Sequence, residues 1–370
     1  MKIVMLGHKR IPSREGGIEI VVEELATRMA AMGHEVTCLN RSGAHVSGKE
    51  YGTADLKEYK GVHIKTVPTL DKKGLAAVTA SITGAVVAAF GKYDVVHFHA
   101  EGPCAMLWLP KLFGKRCVAT IHGLDHQRAK WGKFARTYIM LGEKCAAKFA
   151  DEIIVLSEGV QKYFKDTYNR KTVFIPNGVT KPEQREAREI IAQFGLRKDE
   201  YILFLGRLVP EKGIHYLIEA YQNLRTDKKL VIAGGVSDSA EYGDTLKNLA
   251  ADHPNILFTG FVQGRILEEL YSNAYIYVLP SDLEGMPLSL LEAMSYGNCC
   301  VTSDIEECTQ VAEDHGVSFP KGDAAALADR LQELFDHEET VNTYRTKAAD
   351  YITGKYSWVD ITNRTMELYR

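Results

Sequence analysis

Short apolar runs rich in β-branched and aromatic residues, each followed by helical spacing, recur along this chain, and the series begins afresh halfway. The strand candidates of the first half are residues 2–6, 35–40, 63–67, 95–99, 117–122, 152–156 and 172–175. Those of the second half are 201–205, 230–233, 256–259, 275–279 and 299–302. Helical periodicity fills the gaps: apolar residues at 18, 21, 22, 25, 29 and 32 share one face, and 214–224, 266–274 and 288–296 read the same way. Alternation of this kind builds parallel sheets covered by helices on both faces. Two series predict an α/β chain of two doubly wound domains. The turn-rich stretch 176–182, PNGVTKP, is the hinge between them.

A length of 370 residues leaves each domain an ordinary core. The seven cysteines have no CxxC spacing and an odd count, so they are expected as reduced core thiols, with the adjacent Cys299 and Cys300 inside a strand. The N-terminal apolar run is too short for a signal peptide. Residues 74–91 carry no charge over 18 positions, but they are Ala-, Thr-, Ser- and Gly-rich and lead into a strand. A buried helix is expected there instead of a membrane span. The net charge of −3 hides an asymmetry. Residues 1–182 hold 27 Lys and Arg against 17 Asp and Glu, and residues 183–370 hold 18 against 31. The first half is expected to face something anionic, yet no nucleic-acid signature accompanies it.

Ligands of doubly wound sheets bind beyond the carboxyl ends of the strands, so two such domains facing each other imply a central cleft lined by post-strand loops. Four loops qualify. GHKRIPSREGGIE lacks the GxGxxG fingerprint of dinucleotide binders; its Gly16 and Gly17 offer bare N–H groups to an anion or a sugar, flanked by Arg10 and Arg14. TIHGLDHQ puts His122 at a strand end, where a lone histidine is either structural or a ligand contact. GRLVPEKG sets Arg207 and Lys212 five residues apart ahead of a helix, a pair suited to a diphosphate. SDLEGMPLSLLE places Glu284 in a loop and Glu292 eight residues on, inside a helix for which Pro287 suits the first position. The helix N-terminus around Gly285, Met286, Leu288 and Ser289 can receive phosphate oxygens, and each carboxylate can accept from sugar hydroxyls.

EGMPLSLLE resembles the E-x7-E motif of retaining glycosyltransferases of the GT-B fold, family 4 (glycosyl transferases group 1). GRLVPEKG, IPNGV, GG-x-E, VVHFH, VLSEGV and the closing YSW…MELY resemble further landmarks of that family, in order along nearly the whole chain. GHKRIPSREGG is also similar to the start of bacterial transferases that build surface polysaccharides, rhamnosyltransferases among them. The resemblance implies an acceptor-binding Rossmann-like domain over 1–180, a nucleotide-sugar-binding one over 181–353, and a helix in 354–370 that returns to the first. It implies that Glu284 binds the donor sugar, Glu292 the ribose, and Arg207 and Lys212 the departing diphosphate. His122 would contact the transferred sugar, and Val262 joins the donor-binding set. No metal and no cofactor are expected, the UDP-, dTDP- or GDP-sugar being a substrate. The alternatives are a sugar-nucleotide epimerase of the same fold, a pyridoxal-phosphate phosphorylase needing a Schiff-base lysine and a longer chain, and a non-catalytic nucleotide-sugar sensor.

Residues 101–150 hold nine Lys and Arg against three Asp and Glu. Within QRAKWGKFARTY, Arg128, Lys130, Lys133 and Arg136 surround Trp131 and Phe134, which would share one face of a helix. A basic face with an aromatic wedge suits an anionic membrane, and with it a lipid-linked saccharide acceptor and a peripheral cytoplasmic enzyme.

Overall fold

The computed structural model describes residues 1–43, 56–70, 72, 75–127, 131–236 and 240–370. The chain divides into two compact units, Met1–Gly178 together with Trp358–Arg370, and Val179–Ser357.

The first unit is built on β1 (Lys2–Leu6), β2 (Glu35–Arg41), β3 (Glu58–Tyr59), β4 (Val62–Val67), β5 (Val95–His99), β6 (Arg116–Ile121), β7 (Glu152–Val155) and β8 (Val173–Phe174). Their order in the sheet is β3-β4-β2-β1-β5-β6-β7-β8. All neighbours run parallel except β3 and β4. Ile3, Val4, Met5, Val96, Phe98, Val118 and Ala119 have no exposed surface, as expected of strands covered on both faces. Helix Gly17–Ala31 turns Val21, Val22, Leu25, Ala26 and Met29 inward at helical spacing. The uncharged segment forms helix Leu75–Phe90, and no helix among the described residues is long and apolar enough to cross a membrane. Helix Trp358–Glu367 belongs to this unit. Beyond it, the Tyr369 hydroxyl lies 2.6 Å from His97 Nδ1, and Arg116 Nε donates to the Leu368 carbonyl at 2.8 Å.

The second unit holds β9 (Tyr201–Leu205), β10 (Lys229–Ala233), β11 (Ile256–Gly260), β12 (Ile276–Leu279), β13 (Cys299–Ser303) and β14 (Val317–Phe319), in the order β11-β10-β9-β12-β13-β14 and all parallel. Cys299 and Cys300 are fully buried in β13, and all seven cysteines are buried and free.

Each sheet reverses its winding once. In the first unit the chain leaves β1 toward β2 and returns on the other side as β5; in the second it leaves β9 toward β10 and returns as β12. Loops at such switch points diverge and leave a crevice at the carboxyl ends of the two strands. Four sequence expectations need correcting here. The edge strands β3 and β14, two and three residues long, were absent from the candidates. His122 lies just past β6, which ends at Ile121. Pro287 is the cap of helix Leu288–Ser295, with ψ of 101°, and does not occupy its first helical position. Trp131 precedes the helix altogether, because Gly132 is the cap of helix Lys133–Phe149.

Candidate active site

The switch point of the second unit brings together the loop after β9, residues 206–213, and the loop after β12, residues 280–287. Gly213 allows the approach: its φ is +64°, and a Cβ there would lie 2.0 Å from the Pro280 carbonyl oxygen. Asp282 N then donates to the Glu211 carbonyl at 2.9 Å and fastens the two loops. On this frame Lys212 Nζ meets Glu284 Oε1 at 2.6 Å, with side chains only 15% and 8% exposed. Ser281 Oγ donates to the same oxygen at 2.6 Å. One carboxylate oxygen thus takes two donors, which fixes the plane of the group and leaves Oε2 to accept from a ligand. Burial of both groups costs desolvation that their attraction must offset, and removing either partner strands the other's charge.

Arg207 stands on the same edge, between two backbone anchors: Gly206 N donates to the Ala233 carbonyl at 3.0 Å and Leu208 N to the Gly235 carbonyl at 3.1 Å. Its half-buried guanidinium makes no salt bridge with a described residue. Val262 follows β11 on this edge, half-buried. Gly285 lies in the loop, and Met286 and Leu288 are buried, so what these three offer a ligand is backbone N–H. No side chain caps helix Leu288–Ser295. Ser289 and Glu292 are half-buried on it, and the Tyr271 hydroxyl lies 3.3 Å from Glu292 Oε2.

The first unit's switch point has a different chemistry. Gly7, at φ +110°, lets the loop after β1 pass the end of β5, where a Cβ would lie 2.1 Å from the His99 carbonyl oxygen. His8 Nε2 is 3.1 Å from Asn40 Oδ1, and His99 Nδ1 is 3.1 Å from His122 Nε2. The His97 and His99 rings, two residues apart on β5 and so on one face, lie 4.1 Å apart. Burial pushes His8 down to about 4 and His97 down to about 3, and it holds His99 well below the usual histidine range. Three imidazoles are therefore neutral at pH 7. The sequence singled out His122 alone; the period of two in VVHFH is the signal that would have added His97 and His99.

Gly16 caps helix Gly17–Ala31 in an extended conformation. A Cβ there would lie 2.5 Å from Glu19 Oε2, and Lys9 N donates to Glu19 Oε1 at 2.8 Å. This N-terminus already holds a carboxylate, which favours a hydroxyl over a second anion beside Gly16 and Gly17. Arg10 Nη2 donates to the Gly43 carbonyl at 2.8 Å, and Arg14 is exposed. Glu19 is the acid of the GG-x-E stretch, whereas Asn40 was not foreseen.

The basic aromatic wedge is rearranged. Arg128 and Lys130 lie outside the described residues. Trp131 is half-buried ahead of its helix, so it does not share a helical face with Phe134, which is 77% exposed. Leu141, seven residues on from Phe134, extends the exposed apolar stripe; Lys133, Arg136, Lys144 and Lys148 are exposed on the same helix.

Residues 15–181 match the family described as Glycosyltransferase Family 4, and residues 186–351 match Glycosyl transferases group 1. An uncharacterised glycosyltransferase of Methanocaldococcus jannaschii is 27% identical over all of this chain and 98% of its own length. The phosphatidyl-myo-inositol mannosyltransferase of Mycobacterium leprae is 27% identical over 96% of this chain and 92% of its own. Among solved structures, Anabaena HepE in complex with UDP and glucose superposes with a TM-score of 0.81 at 17% identity, covering 99% of this chain and 98% of that one. That likeness establishes a GT-B fold.

Proposed function

The chain belongs to the group 1 glycosyltransferases of family 4, and from that premise we propose that it moves a sugar, with retention of anomeric configuration and without a metal, from a nucleotide diphosphate-sugar to a lipid-linked saccharide. The observation that carries this reading is the Lys212–Glu284 pair at the second unit's switch point, with Arg207 on the same edge. Glu284, its Oε1 held by Lys212 and Ser281, turns Oε2 to the hydroxyls of the donor sugar. Arg207 and Lys212 stabilise the charge that grows on the leaving diphosphate, the contribution expected to dominate. Glu292 takes a ribose hydroxyl, only the 3′-hydroxyl where the donor is dTDP-linked. Backbone N–H groups at the start of helix Leu288–Ser295 receive phosphate oxygens, with Val262 beside the nucleotide. His122 meets the transferred sugar. No enzymic nucleophile is assigned: the leaving phosphate takes the acceptor proton as the new bond forms on the same face.

The acceptor belongs to the first unit. Support for a lipid-borne acceptor lies in its surface: the helix carrying Phe134 and Leu141 is ringed by exposed cations, and helix Leu75–Phe90 exposes Ile82, Val86 and Phe90. Phe90 packs on Phe113 at 4.6 Å between ring centroids, and both are exposed. Apolar groups among cations suit an anionic bilayer interface. The cited mannosyltransferase of Mycobacterium leprae acts, by its name, on a phosphatidyl-myo-inositol.

Incubation with UDP-, GDP- and dTDP-sugars, with and without a membrane extract as acceptor, tests the reaction. Nucleoside diphosphate released only with acceptor, and a product anomer matching the donor's, are expected. Release without acceptor points to the epimerase, inversion removes the proposed mechanism, and binding without turnover points to a sensor.

A further inference from the structure

The first unit contains a second cluster, apart from its histidine edge and unused in the reaction above. Glu101 follows β5 as the cap of the turn Gly102–Met106, His126 sits in the turn Asp125–Gln127 after β6, and Glu143 is in the middle of helix Lys133–Phe149. The carboxylates have no exposed side-chain surface, and the imidazole is 15% exposed. Two buried acids need a counter-charge, and His126 is the one basic group among the described residues that pairs with them.

Each carboxylate has one oxygen fixed from behind. Glu101 Oε2 accepts from Asp125 N at 2.7 Å. Glu143 Oε1 accepts from the Tyr163 hydroxyl at 2.8 Å and from the Tyr168 hydroxyl. The other two oxygens turn toward His126: Nδ1 is 3.2 Å from Glu143 Oε2 and 3.8 Å from Glu101 Oε1. At these separations none of the three atoms makes an aligned hydrogen bond. The three atoms all lie within 4.8 Å of one another. Bonds of about 2.0–2.1 Å around a tetrahedral cation put neighbouring ligand atoms roughly 3.4 Å apart; the His126–Glu143 separation of 3.2 Å is close to that spacing.

We propose that Glu101, His126 and Glu143 bind one divalent transition-metal cation of the zinc class through Oε1, Nδ1 and Oε2, with the cation pinning the loop after β6 to helix Lys133–Phe149. The hydrogen bonds from Asp125 N and from the Tyr163 and Tyr168 hydroxyls hold the far oxygen of each carboxylate and so orient the ligands. Two carboxylates and a neutral imidazole balance the cation's charge. None of the three residues is assigned a role in sugar transfer above.

Tag-free protein, dialysed against chelator, is titrated with Co²⁺ and read by visible absorbance, then competed with Zn²⁺. One equivalent giving d–d bands that Zn²⁺ abolishes is expected, with binding weakened roughly 100-fold or more in His126→Ala and Glu143→Gln, more than the loss of a group that merely supports a ligand would cost. Thermal unfolding of the unaltered chain should shift upward with Zn²⁺. No Co²⁺ bands and no thermal shift in the unaltered chain, or binding that survives both substitutions, would overturn the proposal.

Discussion

The two switch points of this molecule share a topology and differ in charge. Each lies between strands that wind in opposite directions, and each needs a positive-φ glycine, Gly7 or Gly213, to bring one loop against a neighbouring carbonyl. At the second unit's edge the polar groups carry fixed charges: Lys212 against Glu284, with Arg207 alongside. At the first unit's edge they are His8, His97 and His99, whose burial removes the charge. The charged arrangement suits a polyanion, and the neutral one suits hydrogen bonds with neutral hydroxyls. On the reading proposed above, the half with more acids than bases would hold the site for the diphosphate. Its excess acids are elsewhere, and local placement of two cations decides the chemistry.

The largest expected effect falls on the charged edge. Arg207→Ala and Lys212→Ala should each lower turnover roughly 10²-fold or more, the scale for losing one preorganised contact to developing charge. Steady-state rates with a cognate donor check this, and near-normal rates in both would dissolve the contrast. Glu284→Gln should lower turnover by a similar factor, whereas Glu292→Gln should mainly raise the donor KM, by about tenfold for a loss near 1.4 kcal/mol. Equal changes in both parameters for both variants would remove their separate roles.

A smaller effect is expected on the apolar and basic face of the first unit. Vesicle co-sedimentation should require anionic lipid, weaken at high salt, and fall several-fold when Lys133, Phe134 and Arg136 become Ser. Salt-independent binding, or none, would leave the acceptor soluble. The smallest effect is a null response on the neutral edge. Histidines with depressed values bind a proton in the unfolded chain before they do in the folded one, so they should stay neutral from pH 8 down to pH 5. NMR imidazole shifts of His8 and His97 should stay flat across that window; titration near 6.5 would put charge on both edges.

How much of this was legible in the sequence follows from range. Central strands are buried on both faces, so β1 and β9 read as nearly continuous apolar runs. The edge strands β3 and β14 are too short to show a period. The loops after strands were legible, since chain order alone puts Arg207, Lys212, Glu284 and His122 at strand ends. Their pairings were not: Lys212 and Glu284 are 72 residues apart. Glu101 and Glu143 meet only because one turn packs on one helix, and nothing in their spacing signals it. The expected face of Trp131 and Phe134 failed on a single residue, Gly132, which starts the helix too late to include the tryptophan.

The contrast between the edges is tested most directly by calorimetric titration of UDP, GDP and dTDP, each beside its nucleoside, into the unaltered chain and into Lys212→Ala, Arg207→Ala and His122→Ala. The account predicts that one diphosphate binds far more tightly than its nucleoside. It also predicts that either cation substitution weakens that binding by roughly tenfold or more, the value of about 1.4 kcal/mol, and that His122→Ala leaves it unchanged. Diphosphate binding that survives both cation substitutions, or that falls as far in His122→Ala, would contradict it.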